Sequence, residues 1–269
     1  MSGTDAPDRR RHVPWTAAVP GVVGLTFLVL PLVALVVRAP WSRLGSVLTG
    51  PDVLSSLWLS LWTSTVATAV TVALGLPLAW LLARSPVPGL RWLRAVVTLP
   101  LVLPPVVGGV ALLAVFGRTG LVGRWLDAWG ITLPFTPAAV VLAQTFVALP
   151  FLVLTVDGAL RAADGRYDEA ATCLGASRLT VLRRVTLPLL APSVAAGAVL
   201  AWARALGEFG ATVTFAGSFP GRTQTLPLSV YRALDQDPQA AVALSLVLLA
   251  VCVTALALMR GRWSSGVQA

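Results

Sequence analysis

The chain has 269 residues, of which 57% are hydrophobic and 12% charged, with a formal net charge of +9 and a mean hydropathy of +0.83. This apolar share far exceeds that of soluble globular domains and indicates a membrane protein. All 20 basic residues are arginine, and the absence of lysine excludes the P-loop lysine of a Walker A site and Schiff-base catalysis.

Six long apolar segments predict six transmembrane helices, since about 18 or more such residues mark a membrane span. The first is too long for the core of a signal peptide, so we expect it to remain in the protein. The third contains Pro100, Pro104-Pro105 and Gly108-Gly109, and a bent helix is expected there. The predicted spans are about 17–37, 57–83, 95–116, 138–160, 188–217 and 239–259.

The distribution of arginine predicts the orientation of these spans. Thirteen arginines fall in the two termini and in the segments 84–94 and 161–184, six fall in the other loops, and Arg204 lies inside a span. Because cytosolic loops are enriched in basic residues, both termini are predicted to be cytosolic. The excess of positive charge therefore reflects topology, and we expect no nucleic-acid partner.

Charged residues inside a span are costly and usually have a partner or a function. Arg204 and Glu208 are four residues apart in the fifth span, so they would share one helix face. A structural ion pair and a translocation path for the solute are both consistent with this spacing. Gly207 and Gly210 weaken the helix around Glu208, and irregular backbone at membrane depth requires protein or a watery cavity beside it.

The candidates for the translocation path combine these charges with flanking hydroxyl groups and with the bend of the third span. A packing kink is the alternative interpretation of that bend. Gln144 and Asp157 in the fourth span are weaker candidates, because Asp157 is predicted to face the cytosol. The path candidates are Arg204, Glu208, Gly210, Thr212, Pro105 and Gly108.

The polar segment 168–188, DEAATCLGASRLTVLRRVTLP, separates the fourth and fifth spans. It is predicted to form two short helices with a break between them. Gly175 can adopt the left-handed conformation that ends the first helix, and Ser177 can cap the second. Pro188 suits the first turn of a new helix. A helical hairpin between two spans is suited to binding a cytosolic partner.

This segment resembles the EAA loop of binding-protein-dependent ABC importer permeases. The family pattern is Glu-Ala-Ala, three residues, Gly, nine residues, and an ending of aliphatic-x-Leu-Pro. The sequence meets every spacing, with Glu169, Ala170, Ala171, Gly175 and Pro188 at the marked positions. The resemblance implies an all-α polytopic membrane protein with the type I ABC importer permease fold.

The resemblance also implies a domain organisation and a set of partners. A cytosolic tail at 1–14 would precede a permease domain at 15–263, with a core resemblance over about 53–259 and the EAA loop at 161–188. The loop would dock as a coupling helix in a groove of an ATP-hydrolysing subunit. That partner would bind ATP and Mg, so this chain is expected to hold no cofactor and not to be an enzyme.

A second resemblance concerns the fifth span and the loop after it. Residues 205–211, ALGEFGA, resemble a segment shared by sulfate and molybdate permeases, and residues 220–228, PGRTQTLPL, resemble the molybdate branch. The implied assembly is a homodimer in a prokaryotic plasma membrane, with two ATP-binding subunits inside and an extracytoplasmic oxyanion-binding protein. The external loop candidates for contact with that protein or the pore mouth are Arg222, Thr223, Gln224 and Thr225; a solvated loop is the alternative.

Three other functions remain as alternatives. Transport of sulfate or thiosulfate fits the same family. A secondary transporter or channel would use several intramembrane acidic or histidine groups, but the spans hold only Glu208 and Asp157, and the EAA spacing would be unexplained. An intramembrane enzyme is disfavoured, because the sequence has no catalytic constellation, and Cys173, Cys252 and His12 fit no metal-site spacing.

Overall fold

The computed structural model describes residues 15–85, 89–163 and 166–263, and the predicted tail at 1–14 lies outside these ranges. The described chain is built from α-helices, with one short π-helical turn. The helices are α1 Trp15–Val37, α2 Leu44–Leu48, α3 Pro51–Arg84, α4 Leu90–Val102, α5 Pro105–Phe116, α6 Gly123–Ala128, α7 Pro137–Ala162, α8 Arg166–Cys173, α9 Arg178–Val181, α10 Leu187–Leu206, α11 Gly210–Ala216, α12 Leu226–Gln236 and α13 Pro238–Trp263.

Within the described residues, five helices are long and apolar enough to cross a membrane, and the α4–α5 pair makes a sixth if its halves form one span. The predicted all-α polytopic fold is therefore confirmed. The second predicted span is longer than expected, because α3 begins at Pro51. The proline has no N–H to leave unpaired in the first turn, which makes it a favourable start.

The third span is divided more sharply than predicted. Helices α4 and α5 meet at an angle of 117°. Leu103 and Pro104 both precede a proline, and both adopt extended backbone with ψ 133°. A residue before proline is disfavoured in the helical region, so two such residues in succession redirect the chain. The prediction that Gly108-Gly109 breaks the helix was wrong, since α5 runs through both and buries them.

The fifth span also differs from the expectation of one helix over 188–217. Helix α10 ends at Leu206, and the short helix α11 begins at Gly210. At the other end, the helix does not start at Pro188. It is continuous from α9 through a π-helical turn, Leu182–Thr186, in which the N–H of Leu187 bonds to the carbonyl of Leu182. Pro188 lacks an N–H, and the wide turn accommodates that missing donor.

Helix α7 is the centre of the domain. In its most apolar 18-residue window 61% of residues are buried, against 28% for α3. Thr136 caps its first turn by accepting the N–H of Ala139, and Pro137 follows. Helices α3 and α10 pack along α7, and Gly75 and Gly197 allow this, since a Cβ at either would approach the side chain of Leu152 at 2.8 and 3.1 Å.

Two apolar cores form on α7, one on each side of the breaks. The EAA-side core joins α3, α4, α10 and one half of α7, and the far core joins α5, α11 and the other half. Burial of apolar side chains between helices fixes each half separately. The EAA-side core comprises Ala67, Ala79, Leu82, Val97, Ala148, Leu152, Val153, Val156, Leu160, Leu190, Ala201 and Ala205. The far core comprises Leu112, Ala139, Val140, Ala143, Val147, Ala211, Phe215 and Ala216.

Candidate functional site

The EAA segment, residues 161–188, has the local geometry that its sequence predicts. Helix α8 ends in a turn where the N–H of Ala176 bonds to the carbonyl of Ala171, and Gly175 adopts φ +83°. Its N–H bonds to the carbonyl of Thr172, which completes a Schellman motif. Ser177 then caps α9 by accepting the N–H of Thr180 at 3.3 Å. Residues 164–165 of the segment lie outside the described residues.

The outward face of α8 is available for contact. Glu169 and Ala170 are exposed, Ala171 is half-buried, and Leu174 just beyond the helix is 89% exposed. The small alanines leave the helix backbone accessible to a close neighbour.

Arg204 and Glu208 form an ion pair, with 2.6 Å between Nη1 and Oε2. The pair does not lie along one continuous helix, because Glu208 is beyond the end of α10. Its carboxylate is 1% exposed, and Oε1 accepts the N–H of Ala211 at 2.8 Å. Glu208 therefore links the end of α10 to the first turn of α11. Arg204 retains 29% side-chain exposure and is the accessible member of the pair.

The two broken spans meet at their breaks, which brings most of the path candidates together. A Cβ on Gly210 would lie 2.6 Å from the Cβ of Pro105. A Cβ on Gly109 would lie 2.6 Å from the Cβ of Thr214 and 2.9 Å from the carbonyl oxygen of Ala211. Helices α5 and α11 therefore pack at backbone distance, which a side chain at either glycine would prevent.

The remaining path candidates are buried within the chain. Gly108 faces the ring of Phe146, since a Cβ there would lie 3.0 Å from Cε1. Thr212 and Gln144 are fully buried, and within the described chain the Thr212 hydroxyl and both amide atoms of Gln144 have no hydrogen-bond partner. Buried polar groups without partners are uncommon in folded proteins.

The loop predicted to face the exterior is largely interior. Arg222 is exposed, whereas Thr223, Gln224 and Thr225 are buried, so the alternative of a solvated loop was wrong for these three. The carbonyl of Phe219 accepts the N–H groups of residues 222, 223 and 224 at 2.9–3.1 Å, which folds the loop back. Thr223 accepts the N–H of Phe219 through Oγ1.

Two serines on α3 hold this loop in place, although the sequence alone does not link them to it. The Oγ of Ser60 accepts the N–H of Leu226 at 2.7 Å, and Ser229 donates to Ser56 at 2.8 Å. Both serines are buried. Nothing in the local sequence of α3 connects these serines with residues about 170 positions later in the chain.

Asp157 was expected to face the cytosol, and that expectation was wrong, because the residue is 5% exposed. Its Oδ1 lies 3.1 Å from both Nη2 of Arg94 and Nε of Arg161. Both arginines also donate to the carbonyl of Leu82, at 3.3 and 3.2 Å. The cluster therefore joins α3, α4 and α7 at one end of the domain.

Comparison with known proteins places the fold in a family. Residues 75–262 match the family described as binding-protein-dependent transport system inner membrane component. The chain belongs to this family. It is 53% identical over 239 residues to the molybdenum transport system permease protein ModB of Mycobacterium tuberculosis, covering 89% of this chain and 90% of the relative.

A sulfate permease is similar in sequence, and a solved transporter structure is similar in fold. The permease is 37% identical over 227 residues to the sulfate transport system permease protein CysT of Salmonella typhimurium, covering 83% of this chain and 82% of that one. A bacterial ABC transporter involved in the import of alginate superposes with a TM-score of 0.70 at 16% identity, covering 91% of this chain and 94% of that chain. The predicted ABC importer permease fold is therefore confirmed.

The ion pair at the break of the fifth span leads to a stability prediction for the permease. Replacing Glu208 with alanine leaves Arg204 and the N–H of Ala211 without their partner in a poorly solvated site. We expect the unfolding temperature in detergent to fall by about 5 °C. Removing one member of a buried ion pair is strongly destabilising, but water can reach the partly exposed Arg204 and reduces this loss. Differential scanning fluorimetry of the purified chain measures this change.

Two variants make that measurement specific. Glu208→Gln keeps an acceptor for the N–H of Ala211, so we expect roughly half of the loss. Asp235→Ala removes an exposed carboxylate from α12 and should leave the unfolding temperature unchanged. Equal unfolding temperatures for Glu208→Ala and the wild type would contradict the linking role of Glu208.

Proposed function

We propose that this chain is the membrane-spanning subunit of an ABC importer that moves molybdate or its analogue tungstate into the cell. The observation that carries the proposal is the 53% identity to a molybdenum permease over 90% of that protein's length. The similarity to a sulfate permease is lower, at 37%, and sulfate is the second candidate substrate. Both are tetrahedral dianions.

The proposed assembly contains two copies of this chain, two ATP-binding subunits and an extracytoplasmic oxyanion-binding protein. ATP and Mg would be bound by the ATP-binding subunits. The exposed face of α8, with Glu169, Ala170 and Leu174, is the surface that supports docking of such a subunit. The proposed protein is a multi-pass protein of a prokaryotic plasma membrane. Its EAA segment would lie on the cytosolic side, and both termini would lie on that same side.

The proposed path for the solute runs beside the breaks of the third and fifth spans. Arg204 is the accessible cation there, and a guanidinium can donate two parallel hydrogen bonds to an oxyanion. Glu208 neutralises part of its charge, which limits the affinity and permits release. Thr212 supplies a neutral hydroxyl on α11, Gly210 and Pro105 permit the close approach of α11 to α5, and Gly108 packs against Phe146 of α7.

The mechanism proposed for this path is alternating access. ATP would close the ATP-binding subunits, and the EAA segments would move with them. The third and fifth spans would then open toward the binding protein, and hydrolysis would reset the pore inward. Such transport requires that the nucleotide state and the pore state be thermodynamically coupled. In this arrangement only Arg222 of the 222–225 loop is exposed for contact with the binding protein.

Uptake measurements in cells with and without this chain test the proposed substrate. At trace molybdate, deletion is expected to lower molybdenum accumulation, because the proposed importer would lose the subunit that forms its path. Excess sulfate should not compete with molybdenum uptake in the wild type. Unchanged molybdenum together with reduced sulfur accumulation would instead identify sulfate as the substrate.

A further inference from the structure

The carboxylate of Asp168 connects α8 to two other elements. Its Oδ2 lies 3.2 Å from Nη2 of Arg84, the last residue of α3. Its Oδ1 accepts a hydrogen bond from Oγ1 of Thr186 at 3.0 Å. Thr186 is buried in the π-helical turn that leads into α10. One side chain on α8 therefore contacts both the end of α3 and the beginning of the fifth span.

The end of α3 is itself held firmly by its neighbours. Two residues before Arg84, the carbonyl of Leu82 accepts hydrogen bonds from Arg94 on α4 and Arg161 on α7. Both arginines are paired with Asp157. A displacement of Arg84 is therefore resisted by α3, α4 and α7 together.

Adjacent residues of α8 differ in their surroundings. Glu169 is exposed on the side available to a partner, whereas the side chain of Asp168 is 27% exposed and paired within the chain. The Asp168–Arg84 pair is partly solvated, with Arg84 31% exposed, so it contributes little to folding stability. The pair is better suited to fixing the position of α8 relative to α3 than to holding the domain together.

We propose that Asp168 is a positioning residue that transmits the displacement of α8 to α3 and to the start of the fifth span. This inference rests on the proposed docking of the EAA segment on an ATP-hydrolysing subunit. Coupling between two sites requires a physical element that both of them bias, and the Asp168 contacts provide one. Without these contacts α8 would be joined to the fifth span only through the turn at Gly175 and the packing of α8 on α9 and the π-helical turn, so less of its displacement would reach the spans.

The test uses the complete transporter in proteoliposomes, with ATP hydrolysis and uptake of labelled molybdate measured in parallel. Asp168→Asn should still co-purify with the ATP-hydrolysing subunits and retain most of their activity. Uptake should fall, so that the ATP hydrolysed per molybdate taken up rises by about tenfold, in the usual range of coupling effects. Asp52→Asn is the matched control, because it removes an exposed carboxylate at the opposite end of α3.

Exchanging the charges of Asp168 and Arg84 distinguishes loss of their ion pair from a general effect of substitution. Arg84→Asp and Asp168→Arg should each raise the ratio of ATP to molybdate, and the double variant should bring it back to within about threefold of the wild type. A double variant no better than either single one would overturn the inference, as would an unchanged ratio in Asp168→Asn. Loss of co-purification in Asp168→Asn would also overturn it, by assigning the residue to docking.

Failure of the proposed function would be distinguishable from failure of this inference. In the first case the wild-type complex itself would not assemble with ATP-hydrolysing subunits or would take up no molybdate. In the second case the wild-type complex would be fully active, and only the behaviour of the Asp168 and Arg84 variants would differ from the expectation.

Discussion

Replacing Gly175 with valine is expected to leave the chain in the membrane and to reduce solute uptake by more than about tenfold, because the turn after α8 sets the geometry of coupling. Gly175 has φ +83°, a conformation that L-residues adopt at a cost of roughly 1–2 kcal/mol, and β-branched residues least readily. No neighbouring atom lies within 4 Å of a Cβ at this position, so the effect comes from the backbone alone. Uptake is measured per amount of permease in the membrane fraction.

Two substitutions control this experiment. Gly175→Asn should retain most of the uptake, since asparagine tolerates the left-handed conformation. Gly130→Val introduces the same backbone conflict, at φ +76° and also without close neighbours, in a loop far along the chain from the EAA segment. Its uptake should remain near that of the wild type. Normal uptake by Gly175→Val would contradict a coupling role for the EAA turn.

Replacing Gly109 with valine is expected to separate α5 from α11 and to abolish uptake. The new Cβ would meet the Cβ of Thr214 and the carbonyl oxygen of Ala211 at distances that require the backbone to move. Overpacking of this kind costs about 1–3 kcal/mol, which corresponds to a fall of about 2–12 °C in the unfolding temperature for a chain of this size. Scanning fluorimetry and uptake are measured on the same preparation.

The matched control for that variant is Gly24→Val in α1. It adds the same side chain to a long apolar helix, at a position where no atom lies within 4 Å of the new Cβ. Its unfolding temperature and uptake should equal those of the wild type. If Gly109→Val were as stable as this control, α5 and α11 would not pack at backbone distance in the functional protein.

Local features of the EAA segment were predictable from sequence, because short-range backbone chemistry determines them. The positive φ of Gly175 and the Ser177 cap depend only on residues within one helical turn. The bend at Pro104-Pro105 was also predictable, for the same reason. The sequence did not fix the position of the bend, because Gly108 and Gly109 offered a second possible break. In the structure these glycines permit close packing instead.

Features that depend on distant contacts were not predictable in the same way. The sequence predicted that residues 223–225 belong to an external loop, in contact with a partner or the pore mouth or else solvated, but burial of their side chains depends on the pairing of the following helix with Ser56 and Ser60. Asp157 was assigned to the cytosolic surface by its position near a helix end. Its burial results from Arg94 and Arg161, which converge on it from two different helices.

The division of the apolar interior into two cores has a consequence for local unfolding. The far core depends on α5 and α11, which are short and are joined to their preceding helices by non-helical residues. Regions with separate packing exchange their amide hydrogens as separate cooperative units. In detergent, the amides of α11 should therefore exchange earlier than those of α10, and mild denaturant should release the far core while the EAA-side core remains protected.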